Sequence, residues 1–373
     1  MVFLRLIFAV AALTTLAVEG GRLYVSNGHF MKDGKRVFLS GINLAWIHYG
    51  WEYGNGNFQR SKPEMERYMK ELHDAGGNSM RVWVFFAGES VPIFSQTGHV
   101  TKLDNKNTFI SDFKEMTAIA RKYDILLFPC LWNAAKSDQY TQRLAGIIYD
   151  ETKLNSFIDN ALVPLVTALK DDPAIGGWDL MNEPEGLANT QHTEAEPCFS
   201  SIKGVGGWAK SMFPFRLYGR FFNWAAAAIK KADPKALVTI GTNVMINTDQ
   251  MGRRNYFSDH CLIKAGGKKE GTLDFYQWHS YTWQGHFNSL SPFKHSASEY
   301  KLDKPLVIGE FSAKASEGMS STQMYHYSYN HGYQGAWIWS ATDKTAGTSW
   351  SEEKKGVSSI RHESKNGVTA INV

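Results

Sequence analysis

The feature that most limits how this chain can fold is an eightfold alternation. Eight short apolar, β-branched or aromatic runs recur along it: Val37–Trp46, Asn78–Phe86, Ile125–Trp132, Ile175–Asn182, Ala236–Gly241, Leu273–Tyr281, Leu306–Phe311 and Ala336–Ser340. Longer amphipathic or loop-like stretches separate them. Helical patterns run over Lys62–Ala75, Phe109–Tyr123, Glu151–Lys170, Phe215–Ala232 and Thr322–His331. Ser61 with Pro63 near the first helical position marks a helix start. Pro164 predicts a kink in the third pattern, and Asp233-Pro234 stops the fourth. The fifth and sixth intervals read less clearly as helices. Strands that alternate with helices pair in parallel, and near-continuous apolar strands are buried on both faces. Eight of them predict an α/β fold, a closed (β/α)8 barrel. The rival open sheet usually carries a Gly-rich fingerprint after its first strand, and Gly50 to Gly56 lacks that spacing.

Residues 22–39 follow another pattern. Three short extended segments are separated by Ser26-Asn27-Gly28 and by Lys32-Asp33-Gly34-Lys35. This predicts a β-hairpin that plugs the open N-terminal end of the barrel. Residues 1–20 read as a secretory signal peptide. Arg5 precedes an apolar run, Leu6 to Val18, that is too short to span a bilayer comfortably. Cleavage is expected before Gly21, with a cut after Ala17 as the alternative. The mature protein is then secreted and extracellular (a digestive fluid suits it), one catalytic domain over 21–373, with no membrane span. Of three cysteines, Cys130 lies in an apolar run and is expected to be a small buried side chain. Cys198 and Cys261 lie in polar sequence and form a candidate disulfide, although connectivity is not fixed by sequence.

Charge narrows the partner. A formal net charge of +4 over 373 residues has no electrostatic footprint for nucleic acid. The chain is 43% hydrophobic and 20% charged, which excludes a disordered protein. Its 12 Trp, 16 Tyr and 22 Phe exceed what a core built mainly of Leu, Ile and Val needs.

Catalytic residues of such barrels sit at the C-terminal strand ends. Those ends carry Arg81 and Trp83, Trp132 and Asn133, Asn182 and Glu183, His279 and Tyr281, Glu310, and Trp339. Two carboxyls, Glu183 and Glu310, face each other across one mouth if the fourth and seventh strands oppose. Glycoside hydrolysis needs such a pair, one to protonate the leaving oxygen and one to act at the anomeric carbon. Arg81 is the only charge in its run, and Glu310 is its natural partner. Asp179 reads as structural, and Glu185 is the competitor to Glu183 as acid. Indole rings stack on the apolar faces of sugars. Trp46, Trp51, Trp83, Trp132, Trp208, Trp283 and Trp339 fall at strand ends or on the loops that follow. They predict an aromatic cleft for a polymeric sugar.

These segments resemble glycoside hydrolase family 5, on Trp178-Asp179-Leu180-Met181-Asn182-Glu183-Pro184, Leu306-Val307-Ile308-Gly309-Glu310-Phe311, Arg81-Val82-Trp83, His279-Ser280-Tyr281 and Trp337-Ile338-Trp339. The leading hairpin and Gly41-Ile42-Asn43-Leu44-Ala45-Trp46 look most like the mollusc-type endo-β-1,4-mannanases among them. The resemblance implies a retaining enzyme that acts on β-mannan without metal or cofactor, as a monomer. It implies Glu183 as acid/base and Glu310 as nucleophile, with Asn182 on the 2-hydroxyl of the attacked sugar. Arg81 and Tyr281 then hydrogen-bond the nucleophile, His279 lies beside the acid/base, and Trp339 floors the cleaved subsite. Arg81 is expected to lower the pKa of Glu310, whose charge raises that of Glu183. Many members carry a His after the third strand, where this chain has Trp132-Asn133. An endo-β-1,4-glucanase with the same residues and a non-catalytic carbohydrate-binding barrel are the rival readings.

Overall fold

The computed structural model describes residues 21–200, 205–243, 246–365 and 367–369; the signal peptide expected over 1–20 lies outside the described residues. The chain starts as the expected hairpin, with β1 (Tyr24–Ser26), β2 (His29–Lys32) and β3 (Lys35–Val37) pairing antiparallel. Its turns, Asn27-Gly28 and Asp33-Gly34, have positive φ at both residues. That conformation matches the right-handed twist of the flanking strands.

β4 (Leu39–Leu44), α1 (Phe58–Asp74) and β5 (Ser79–Phe86) follow. A small ribbon comes next, of β6 (Ile93–Phe94) and β7 (Val100–Lys102), then α2 (Phe109–Lys122) and β8 (Leu126–Asn133). α3 (Thr141–Tyr149), α4 (Glu151–Phe157) and α5 (Val163–Ala168) lead to β9 (Trp178–Asn182). α6 (Phe215–Ala232), β10 (Val238–Asn243), α7 (Asp259–Gly266) and β11 (Tyr276–Ser280) continue the alternation. The chain then runs through β12 (Leu306–Phe311), α8 (Ser321–Asn330), β13 (Gly335–Ile338), α9 (Trp350–Ser359), β14 (Ser364–Lys365) and β15 (Val368–Thr369). β4, β5 and β8 to β13 pair in parallel and close into a barrel through β13 and β4. Each of the eight apolar runs supplies one of its strands.

The helices depart from expectation in two places. α1 starts at Phe58, so Pro63 lies inside the helix and not near its first position. The kink expected at Pro164 is a π-helical turn, Ile158–Leu162, directly before it. Proline has no N–H for the carbonyl four residues back, and a wider turn relieves the clash of its ring. The sixth interval holds no α-helix, only the 3-10 turn Ala297–Tyr300. Several elements went unread, among them α3, α9, the β6–β7 ribbon and β15; β15 pairs in parallel with β3, so the hairpin belongs to a five-stranded sheet.

The hairpin seals the end of the barrel where the strands begin. Leu23, Phe30 and Val37 pack on Leu39, Leu126, Phe128, Phe275 and Trp337. The rings of Phe30 and Phe275 meet edge to face at 5.1 Å. Cys198 and Cys261 form a disulfide that ties the long segment after β9 to α7, and Cys130 is free and buried.

Candidate active site

The strands deliver their interior side chains to one mouth. Glu183 follows β9 directly, in a left-handed conformation with φ 44° and ψ 63°. A β-unbranched residue before proline rarely adopts it, and it costs on the order of 1–3 kcal/mol. Two backbone bonds hold it: the Glu183 N–H donates to the Gly241 carbonyl at 2.7 Å, and the Gly186 N–H donates to the Glu183 carbonyl at 3.0 Å. The turn aims the Glu183 carboxyl over the mouth. Glu310, on β12, faces it, and the nearest oxygens of the two carboxyls lie within 4.8 Å of each other, as does Nδ1 of His279. That nitrogen stands 2.9 Å from Glu183 Oε1 and 3.4 Å from Glu310 Oε2.

Below the mouth lies a layer of polar side chains centred on Arg81. β5 runs on to Phe86, so Arg81 sits inside the barrel and not at a strand end. Its guanidinium is inaccessible to solvent. Nη1 donates to Glu310 Oε1 at 2.5 Å and to Asn43 Oδ1 at 3.1 Å. Nε donates to Asp179 Oδ2 at 2.7 Å, and Nη2 to Asn182 Oδ1 at 3.0 Å. Arg81 was grouped from sequence with the substrate-binding side chains, but its donors are spent on protein partners, and it acts on the site through Glu310. A buried cation needs this many acceptors. Tyr281 completes the setting of Glu310, its hydroxyl donating to Oε2 at 2.9 Å. Asn182 is nearly buried, with one amide N–H on Asn133 Oδ1 at 3.0 Å.

The electrostatics separate the two carboxyls by cause. Burial pushes Glu183 up to about 7, against a lowering by Arg81. Burial also raises Glu310, opposed by the charge of Arg81 and by the hydrogen bond from Tyr281. Arg81 thus moderates a rise in Glu310 and does not produce the net lowering expected. Burial, not the charge of Glu310, leads the rise in Glu183. The imidazole of His279 is pushed down to about 4 by burial. It is neutral at pH 7. Glu185 is fully buried and accepts from the backbone N–H of Asn243, and none of its surface is open to solvent at the mouth.

The aromatic residues divide. Trp46, Trp83 and Trp339 meet one another at 5.4–5.6 Å beside Tyr281 and form one wall of the mouth. Trp339 Nε1 donates to Asp343 Oδ2 at 3.0 Å. Trp208 and Trp283 stand on loops, 53% and 81% exposed. Trp208 Nε1 donates to the Ala135 carbonyl, just beyond Asn133. Trp132 does not line the cleft. It is 1% exposed and packs against Phe85 and Phe157 on the helix side of the sheet. The pairing of β5 with β8 changes register between Trp83 and Phe86, and such a shift turns side chains to the other face. Asn43 and Gln277 were missed as parts of the site, while Asp179, read as structural, supports it by accepting from Arg81 and Gln277. Their signal was present: each is a polar residue inside a run read as a buried strand.

A family model described as the TIM barrel domain of glycosyl hydrolases family 2 matches residues 133–357. Its family number differs from the family 5 resemblance, but both describe a barrel glycosidase. A mannan endo-1,4-beta-mannosidase of Mytilus edulis is 44% identical over 97% of this chain and 98% of its own. The crystal structure of beta-mannanase from that mussel superposes with a TM-score of 0.91, covering 95% of this chain and 99% of the other. The beta-1,4-mannanase of the sea hare Aplysia kurodai is 47% identical, with a TM-score of 0.91 over 94% of this chain and 100% of its own. With this likeness along nearly its whole length, and two facing carboxyls at the mouth of a (β/α)8 barrel, the chain belongs to the animal mannan endo-1,4-β-mannosidases, a family of glycoside hydrolases.

Proposed function

We propose that this protein is a secreted, retaining endo-β-1,4-mannanase that cleaves internal bonds of mannan, glucomannan and galactomannan. The observation that carries the reading is the short gap between Glu183 and Glu310, whose nearest oxygens lie within 4.8 Å. Retaining glycosidases hold their carboxyls about 5–5.5 Å apart, and inverting ones leave about 6.5–9.5 Å for a water. Glu310 attacks the anomeric carbon while Glu183 gives its proton to the leaving glycosidic oxygen. Glu183, now a carboxylate, takes a proton from water, and the resulting hydroxide displaces Glu310. Arg81 and Tyr281 supply the donors that a carboxylate nucleophile needs, and Glu183, raised by burial, keeps its proton near neutral pH. The wall of Trp46, Trp83 and Trp339 offers apolar faces to the sugar.

The choice of mannan rests on the relatives, since mannose differs from glucose by one axial hydroxyl. Reducing-end release is measured on mannan and on carboxymethylcellulose, with the native enzyme and with Glu310→Ala. Release from mannan alone supports the reading, and preference for carboxymethylcellulose makes the enzyme a glucanase. Glu310→Ala loses about 10⁴-fold or more in kcat, and azide restores glycosyl transfer at the vacated face. Near-normal turnover by this variant removes the nucleophile assignment.

A further inference from the structure

His279 lies between the two carboxyls, and the position of its single proton decides what it does to Glu183. Nδ1 faces Glu183 Oε1 at 2.9 Å, and Nε2 faces Gln277 Oε1 at 3.5 Å. The tautomer is therefore set by which end of the Gln277 amide points at the ring. Asp179 fixes that end. Gln277 Nε2 lies 2.9 Å from Asp179 Oδ2, the oxygen that also accepts from Arg81 Nε. A carboxylate has no proton to give, so the amide must turn its NH₂ to Asp179 and its oxygen to His279. Although 3.5 Å is long for a hydrogen bond, the alternative sets a ring lone pair against a carbonyl lone pair. The proton sits on Nε2, and Nδ1 presents its lone pair to Glu183.

The space for this arrangement is cut from the strands on either side of β11. A Cβ on Gly309 of β12 would stand 2.2 Å from both Cγ and Oε1 of Gln277. A Cβ on Gly241 of β10 would stand 2.7 Å from Nε2 of His279. No larger residue at either place leaves the pair where it is.

We infer that Gln277 is a positioning residue for the acid/base: by holding His279 as the Nε2–H tautomer, it leaves Nδ1 to accept a hydrogen bond from the protonated carboxyl of Glu183. The inference rests on Glu183 being the acid. The imidazole stores the proton on Glu183 until a glycosidic oxygen takes it. Once it has gone, the lone pair of Nδ1 faces a carboxylate, which favours recovery of a proton from water in the second step. His279 itself neither gains nor loses a proton. The other charged or titratable groups around the pair are Glu310 on β12, Arg81 on β5, Asp179 on β9, Tyr281 just after β11, Cys130 on β8 and Glu185 in the turn after β9. All of them remain in a variant at 277.

Two measurements test it. ¹⁵N spectra of histidine-labelled native enzyme, with His279 assigned by its absence from His279→Asn, are expected to show the Nε2–H tautomer from pH 5.5 to 8. The Nδ1–H tautomer overturns the inference, whether or not the enzyme hydrolyses mannan and whether or not any variant at 277 folds. In Gln277→Leu the imidazole is free to carry its proton on Nδ1 and donate to the Glu183 carboxylate. The alkaline limb of kcat/KM is then expected to move about one pH unit lower, with the acid limb and KM little changed. Gln277→Glu, protonated towards Asp179, keeps an oxygen on Nε2 and returns the limb towards its native place. An alkaline limb unmoved in folded Gln277→Leu also overturns it.

Discussion

Glu310 is a buried carboxyl and Glu183 a partly buried one, and their donors differ. Glu310 receives Arg81 and Tyr281, whereas the polar neighbour of Glu183 is a neutral imidazole. Activity that needs a protonated Glu183 is lost as pH rises through about 7, and kcat/KM measured against pH locates that limb. The same shift bears on stability. A carboxyl whose folded-state pKa is raised contributes most below its unfolded value and loses that contribution as pH rises through the folded one. Glu183→Gln therefore removes a burial cost at pH 8. It is expected to stabilise the fold by about 1–2 kcal/mol there, less than the full shift implies because 18% of the side chain meets water. Below pH 4.5 the gain vanishes, and thermal melts at the two pH values check the difference. The tryptophans give a second contrast. Trp132→Ala is expected to cost about 3–5 kcal/mol with KM unchanged in the folded fraction, whereas Trp339→Ala, also buried, is expected to cost both stability and activity. Denaturant titration beside kinetics separates the two. Both Glu residues were legible in the sequence because each ends a nearly uncharged run. Trp132 was misread because a register shift between two strands is a tertiary event that no single run displays.

Among the elements, strands were more legible than helices, for a physical reason. A strand buried on both faces must be apolar throughout, while a connection need only return the chain to the other end of the barrel. The sixth connection does so with a 3-10 turn, and its amphipathic signal was weak accordingly. The short strand β15 has two residues, too few for any pattern. The segment after β9 is long and carries Trp208, and the disulfide holds it to α7. Cross-linking residues 63 apart in sequence constrains the unfolded chain. The chain-entropy argument puts an upper value of about 4 kcal/mol on it. Replacing both Cys198 and Cys261 by Ser is expected to lower stability by about 2–4 kcal/mol. Reductant is expected to lower the Tm of the native enzyme and to leave that of the double variant unchanged.

At the scale of the molecule, the barrel has one chemical end and one structural end. Glu183, Glu310 and the aromatic wall occupy the end where the strands finish, and the hairpin closes the other. Substitutions at the closed end should therefore separate from catalysis. Phe30→Ala is expected to lower stability by about 3–5 kcal/mol while kcat at 25 °C stays within twofold, as denaturant melts and initial rates will show. The pairings that close this architecture also join distant parts of the chain. β4 completes its ladder only with β13, and β3 meets β15. On the ribosome, β4 and β3 thus keep open edges until β13 and β15 have been made. Contacts of such long sequence separation fold slowly, and unpaired edges invite aggregation in the interval. Refolding from denaturant should be slow and concentration-sensitive, and yield during synthesis should depend on whatever shields β4 while it waits.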